Sequence, residues 1–346
     1  MPDLASDALP QPVGAVAPPR AGWKGKSARF ISLGVSAALL IALYNSVDLR
    51  LVGQTLRGAS VPWLLVSLSM IVPITILRAV RFLLVSPPGT LPGLGEALRL
   101  TLVASALNVF LPAKSGDLVK SYFVMKRGGT TAGVGIAIAV YERLCDVFGL
   151  MFWCMAGWIV ARPVVARVPS ALWPLLGVVG AVCGILILSL PVARFLRAAT
   201  AKMIPHPRLR KLIDLVQGWP DLLARLRGRR RWVVVFSMFL WLVHVVQIWM
   251  FTVALSVGIP FTVCASLTAV ALMAGQMPFT LGGLGARDVA LVVLLSGYIT
   301  PEAAVALGIL ISTRGFLPPL AALPIMRPYL AAAVEDARTR RTANGS

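Results

Sequence analysis

The sequence predicts an all-α integral membrane protein, with about six to eight transmembrane helices and two re-entrant or broken-helix hairpins. Composition is the first ground. The 346 residues are 58% apolar and 13% charged, with a mean hydropathy of +0.84, whereas soluble globular chains carry about 25% charged residues. Too few ionised groups are present to coat a soluble fold of this length, so the excess apolar surface must face lipid. Length is the second ground, because successive apolar runs reach the roughly 20 residues that one helical crossing needs. Charge is the third. Against 13 acidic residues stand 33 Lys and Arg, a net +20. Eleven of the basic residues fall between Arg194 and Arg231, between two hydrophobic runs. Basic loops are retained on the cytoplasmic side, so the excess needs no nucleic-acid partner, and none is expected.

Along the chain, residues 1–27 mix Pro, Ala and Gly with scattered charges and no periodicity, and are expected to form a disordered cytoplasmic tail. The first apolar run starts too late, and lacks the flanks, for a cleaved signal peptide. Residues 28–326 read as one polytopic domain, and 327–346 as a second cytoplasmic tail. Spans are expected at 30–47, 62–85, 131–160, 172–190, 232–257, 261–278, 289–299 and 303–325, with a short apolar stretch at 97–111. Both tails and the 191–231 loop are basic, so an even number of crossings must separate the first tail from the loop. Counting 97–111 as a crossing makes that number odd. Parity returns if residues 97–127 dip in and come back as a re-entrant hairpin. Non-helical backbone at that depth persists only under protein or beside a water-filled cavity.

Within the basic loop, Leu209, Leu212, Ile213, Val216, Trp219, Leu223 and Leu226 recur at helical spacing, opposite Arg208, Arg210, Lys211, Arg225 and Arg227. The pattern predicts a helix on the inner leaflet, interrupted near Pro220, with anionic lipids as its partners. A solvated basic linker is the alternative. Cys145, Cys154, Cys183 and Cys264 are widely spaced in apolar segments and read as small core residues.

Two segments echo each other. Asn108 to Asp117, with Pro112, Lys114 and Gly116, and Gln276 to Asp288, with Pro278, Gly282, Gly283, Gly285 and Arg287, each run from a carboxamide through Pro and Gly to an Asp opening a new helix. An Asp at that position is favoured by the exposed N–H groups and the dipole. Paired interruptions in two halves are the sequence signature of a transporter's central site, and an inverted repeat is one reading of them.

Ionisable residues at membrane depth cost about 2.5–3.5 kcal/mol each on insertion scales. Their placement is therefore informative. Glu142 and Asp146 share a helical face, as do Arg78 and Arg81, which read most simply as snorkelling to the interface. Asn108, Lys114, Asp117, Lys120, Glu142, Arg143, Asp146, Gln276, Arg287, Asp288 and Arg314 form the candidate substrate-binding set. Lys114, Lys120, Arg287 and Arg314 would engage an anionic group. Asp117, Glu142, Asp146 and Asp288 would balance them or meet a cationic headgroup. Structural ion pairing is the competing reading. His206 lies in the basic loop and His244 alone on an apolar helix, where a satisfied core residue is the simpler reading. No GxSxG, HExxH or phosphate-binding GxxxxGK[ST] occurs, so neither a metal nor a cofactor is expected, and transport would not draw on ATP.

In order, Asn108-x-x-Leu-Pro-x-x-x-Gly-Asp117, Glu142-Arg-Leu-x-Asp146, and Pro278 with Gly282-Gly-Leu-Gly-x-Arg-Asp288 resemble the flippase-like family typified by the membrane domain of lysylphosphatidylglycerol synthase. The resemblance covers roughly residues 30–325. It implies an integral domain that translocates lipid, which in bifunctional relatives moves aminoacylated phosphatidylglycerol across the inner membrane. Stand-alone relatives include proteins associated with hopanoid lipids. No stretch of these 346 residues reads as a soluble aminoacyl transferase domain, so a stand-alone member is expected.

The function expected is movement of a polar-headgroup lipid across a bacterial inner membrane, with both termini cytoplasmic. A phospholipid, aminoacyl-phospholipid, hopanoid or polyprenyl-phosphate-linked lipid would be the partner, with a lipid-synthesising enzyme or a second copy of the chain as further candidates. A membrane-embedded enzyme on a polyprenyl-linked substrate, with Asp117, Glu142 or Asp146 as general base, is the alternative. A non-transporting scaffold is a third reading.

Overall fold

Every regular element in the computed structural model is helical among the described residues, which are 23–110, 116–128, 130–161, 169–200, 210–276 and 285–343. Helix α1 (Trp23–Asn45) begins inside the stretch expected to be a tail. Asp48 then caps α2 (Leu49–Arg57) by accepting from Arg50 N at 2.8 Å, the usual way to satisfy an orphan N–H. The two axes meet at 86°. If α1 crosses the bilayer, α2 therefore lies in its plane. Helices α3 (Val61–Ser69) and α4 (Ile71–Val85) run in tandem as one apolar span.

Helix α5 (Leu94–Phe110) and α6 (Asp117–Gly128) form an antiparallel hairpin. At one end, Asn108 of α5 reaches Asp117 of α6. At the other, the rings of Phe123 and Tyr329 lie 5.3 Å apart, and Tyr329 donates to Glu96 in the first turn of α5. Gly116 allows the return, since a Cβ there would meet Ala104 O and the backbone and side chain of Asn108.

The long helix α7 (Ala132–Ala161) packs against α6, α8 (Leu172–Leu188), α10 (Arg210–Arg225), α11 (Arg230–Ala254) and α12 (Phe261–Ala274). It divides the apolar interior in two. Its N-terminal half, with Val134, Ala137, Ile138 and Tyr141, joins a core with α4, α5, α6 and α10. Its C-terminal half, with Leu150, Met151 and Cys154, joins a core with α11, α12, α13 (Ala286–Leu295) and α14 (Pro301–Ala343). Glu142, Arg143 and Asp146 fall between the two cores. All four cysteines are buried free thiols.

After α8 the chain turns by 86° into α9 (Leu190–Thr200). The amphipathic helix expected in the basic loop is α10, and two features of that expectation are corrected. Helix α10 continues through Pro220. The C-terminal part of its apolar face is also taken by protein, with Trp219, Leu222, Leu223 and Leu226 buried against α7 and its neighbours, whereas Leu212 stays exposed. Gly133 and Gly218 let the two helices touch backbone to backbone, because a Cβ on either would collide with main-chain atoms of the other helix. Burial of that face offsets the hydrogen bond that Pro220 removes.

Among the described residues, four spans are long and apolar enough to cross a membrane: Val61–Val85, Ala132–Ala161, Arg230–Ala254 and Pro301–Ala331. Counting each bent pair as one span brings the number to as many as six, the lower end of the expected range. The protein is a multi-pass membrane protein. The expected cytoplasmic tail at 327–346 begins as a continuation of α14, which stays helical to Ala343.

Candidate functional site

The boundary between the two cores holds a layer of ion pairs. Arg81 of α4 is 3% exposed; its Nη1 donates to Asp146 Oδ1 at 2.6 Å and its Nε lies 3.8 Å from Glu142 Oε1. This corrects the snorkelling expectation for Arg81, whose guanidinium points inward to two carboxylates on one face of α7. Lys120 of α6 donates to Glu142 Oε2 at 2.8 Å, lies 3.4 Å from Asp117 Oδ1, and sits 4.9 Å over the Phe82 ring. Arg143 bridges Asp117 and reaches Asp146 at 3.9 Å. Asn108 Nδ2 donates to Asp117 Oδ1 at 3.4 Å, while its Oδ1 is buried without a partner. Three cations thus face three carboxylates, and each carboxylate serves at least two cations. Such sharing is what makes charge tolerable in low dielectric, where an isolated ion is strongly destabilising.

Depth follows from position along the helices. Asp146, His244 and Arg314 fall near the midpoints of the spans Ala132–Ala161, Arg230–Ala254 and Pro301–Ala331. These three side chains therefore sit midway along their spans, whereas Arg81 lies four residues from the end of Val61–Val85.

Helix α11 extends this layer toward α14. Trp241 Nε1 donates to Asp146 Oδ1 at 3.2 Å, and its ring lies 5.0 Å from that of His244. Arg314 donates to Gln247 Oε1 at 2.6 Å, with His244 Nδ1 at 3.4 Å. Gln247 in turn donates to Ser67 O at 2.7 Å, a carbonyl in the last turn of α3 where the helix leaves acceptors unpaired. Arg81, Trp241, Gln247 and Ser67 were not in the candidate set. For α11 a signal exists, since Trp241, His244 and Gln247 recur every three residues on one face of an otherwise apolar helix.

The second break is a separate pair. Arg287 binds Asp288 Oδ1 through Nε (3.0 Å) and Nη2 (2.6 Å), and that Nη2 also donates to Gly308 O and Ser312 Oγ. Asp288 Oδ2 accepts from Gly285 N at 3.1 Å. Gly285 holds a φ of 90° while packed on α1, where a Cβ would press on Leu39 and Ser36 O; only glycine meets both demands at low cost. Both breaks thus restart a helix with an Asp in its first turn, at Asp117 and Asp288.

The structure brings together Asn108, Asp117, Lys120, Glu142, Arg143 and Asp146, places Arg314 beside them through α11, and sets Arg287 and Asp288 apart. Gln276 follows the end of α12. Lys114, Pro112, Pro278, Gly282 and Gly283 lie outside the described residues.

No curated protein matches the chain. The family model for the lysylphosphatidylglycerol synthase TM region does, over residues 29–322. That stretch takes in the hairpin, the ion-pair layer on α7, the second break and Arg314, so the chain belongs to the family of lysylphosphatidylglycerol synthase transmembrane regions.

Proposed function

We propose that this protein moves a polar-headgroup lipid across the membrane without ATP hydrolysis and without altering the lipid chemically. A headgroup would cross between the two hairpins, exchanging partners with the ion-pair layer, while the lipid chains stay in the bilayer. The observation that carries this reading is a charge-matched layer of ion pairs at the middle of α7, built from α4, α5, α6 and α7 in a lipid-related membrane family. Shared carboxylates suit such an exchange, because a cation that releases one acceptor keeps another. The enzyme alternative is less well supported, since Asp117, Glu142 and Asp146 all have their oxygens engaged by cations.

The proposed threading has six crossings, with the hairpins α5–α6 and α12–α13 re-entrant. The basic stretch Arg225–Arg231 and both termini would then face the cytoplasm of a bacterial inner membrane. Anionic inner-leaflet lipids remain the proposed partner of that stretch, with the exposed Trp232 beside it as an interfacial anchor. A deletion strain tests the function. Leaflet-specific labelling of intact cells should show one lipid class redistributed between leaflets, with total lipid composition unchanged. Loss of a lipid species, with no leaflet shift, would instead favour the enzyme.

A further inference from the structure

Helix α14 joins the two apolar cores. Residues 303–307, Leu310 and Ile311 are buried in one, whereas Tyr329, near the far end of the span, packs against the other. Between them the helix carries Pro318, Pro319, Pro324 and Pro328. Each lacks an N–H, so the carbonyls of Arg314, Gly315, Leu320 and Pro324 lose the donor that an unbroken helix would supply. Side-chain cover is thin in the same stretch. Phe316, Leu320, Leu323 and Leu330 are exposed, and past Pro319 Ala322 is the one buried residue among the described side chains. Gly315 has open space where a Cβ would stand. A helix short of ladder bonds bends where they are missing, so any motion of one core against the other concentrates here.

The far end is nevertheless tied down. The Tyr329 hydroxyl donates to Glu96, with Oε1 and Oε2 both at 3.0 Å, and its ring meets Phe123 edge-on at 5.3 Å. Glu96 lies in the first turn of α5 and Phe123 in the later half of α6. One side chain of α14 therefore bridges both arms of the first hairpin, at the end opposite the Asn108–Asp117 contact. A hydrogen bond to a carboxylate is strong enough to keep such a tie closed most of the time, and one such bond is weak enough to open thermally. Opening strands no charge, because Arg99 stays 3.8 Å from Glu96. Once Tyr329 lets go, the proline-bearing stretch allows the end of α14 to swing away while residues 303–311 remain in their core.

We propose that Tyr329 and Glu96 form a latch across the open end of the α5–α6 hairpin, with the proline-bearing stretch of α14 as its hinge. Resting on the lipid-translocation reading and its threading, the latch would gate passage between the ion-pair layer and the cytoplasmic leaflet. Closed, it would hold both arms of the hairpin against α14. Open, it would admit or release a headgroup on that side.

Ser121→Cys in the full chain supplies the reporter. Ser121 is 2% exposed, its hydroxyl has no partner, and it lies one turn beyond Asp117 on the same face of α6. The native thiols are buried, and a chain without the reporter gives the background. In inside-out vesicles an impermeant maleimide should label the reporter slowly, and about tenfold faster once Tyr329→Phe removes the hydroxyl. Glu96→Gln should speed labelling less, since an amide oxygen still accepts, and should add little to Tyr329→Phe. Pro318→Ala with Pro319→Ala, which restores two ladder donors, should slow labelling below that of the reporter alone. Glu96→Cys with Tyr329→Cys, joined by a flexible bifunctional methanethiosulfonate, should stop lipid movement in proteoliposomes until reductant releases the link. Unchanged labelling in a Tyr329→Phe chain that accumulates normally, or full lipid movement in the cross-linked protein, overturns the latch. Should Tyr329→Phe fail to accumulate, Glu96→Gln and the cross-linked pair carry the test. Faster labelling in Tyr329→Phe beside a wild-type protein that moves no lipid overturns the translocation reading alone; lipid movement with labelling indifferent to Tyr329→Phe overturns the latch alone.

Discussion

Asp146→Ala is expected to reduce the amount of folded protein in the membrane by tenfold or more. Asp146 is the 2.6 Å partner of Arg81, which is 3% exposed and has only a 3.8 Å contact with Glu142 to fall back on. Removing one partner of a buried pair costs about 3–5 kcal/mol, a large share of a total stability of about 5–15 kcal/mol. The double variant Arg81→Met with Asp146→Leu should recover part of the loss, because an apolar pair of similar volume replaces a buried ion pair at little cost, while Trp241 Nε1 still loses its acceptor. The layer allows this. Glu142 keeps Lys120, and Arg143 keeps Asp117. Quantitative membrane blots of the single and double variants check the expectation. Wild-type abundance of Asp146→Ala would mean that water in an open groove screens Arg81, and that the pair is not structural.

Gly218→Ala should release α10 from the body of the protein. The added methyl would fall on the backbone of Gly133 and Val134, where no side chain can swing aside. Overpacking of this kind typically costs about 1–3 kcal/mol, occasionally more, and here it separates two helices along their whole contact. Trp219, Leu222 and Leu223 would lose their cover, and the arginines from Arg225 to Arg231 would become substrates for trypsin. In inside-out vesicles the variant should be cut many times faster than wild type, and in right-side-out spheroplasts neither should be cut. Equal cutting rates in inside-out vesicles would refute the packing argument. Cleavage from the outer face would overturn the threading.

Much of the fold was legible in the sequence because lipid imposes simple rules on length and composition. Spans at 62–85, 131–160, 232–257 and 303–325 and the helix in the basic loop follow from apolar runs and periodicity, whereas the expected spans at 261–278 and 289–299 are helices of 14 and 10 residues, too short to cross. What covers a given face is less legible. The apolar side of α10 reads equally well as lipid-facing or protein-facing, and the deciding feature, a glycine on each of two helices 85 residues apart, has meaning only once they are packed. Arg81 illustrates the same limit at the site. Its position a few residues from the end of a span suits snorkelling, and nothing local shows that Asp146 and Glu142 wait on another helix. Neutral acceptors leave still weaker traces. Ser67 takes part through its backbone oxygen, and no side-chain pattern records that. The charges of α7 were legible because a carboxylate in an apolar span demands a partner, whatever that partner proves to be.

The central claim is that the polar layer passes a lipid headgroup without changing it. Reconstitution of the purified chain tests this most directly, with a fluorescent headgroup lipid in both leaflets and an impermeant quencher added outside. Wild-type protein should expose inner-leaflet lipid to the quencher, and extracted lipid should be unchanged by mass. Glu142→Gln should accumulate normally, since Arg81 keeps Asp146 and Lys120 keeps Asp117, yet it should expose that lipid at least tenfold more slowly. A wild-type rate equal to that of protein-free vesicles, or a new lipid species at any rate, would contradict the account.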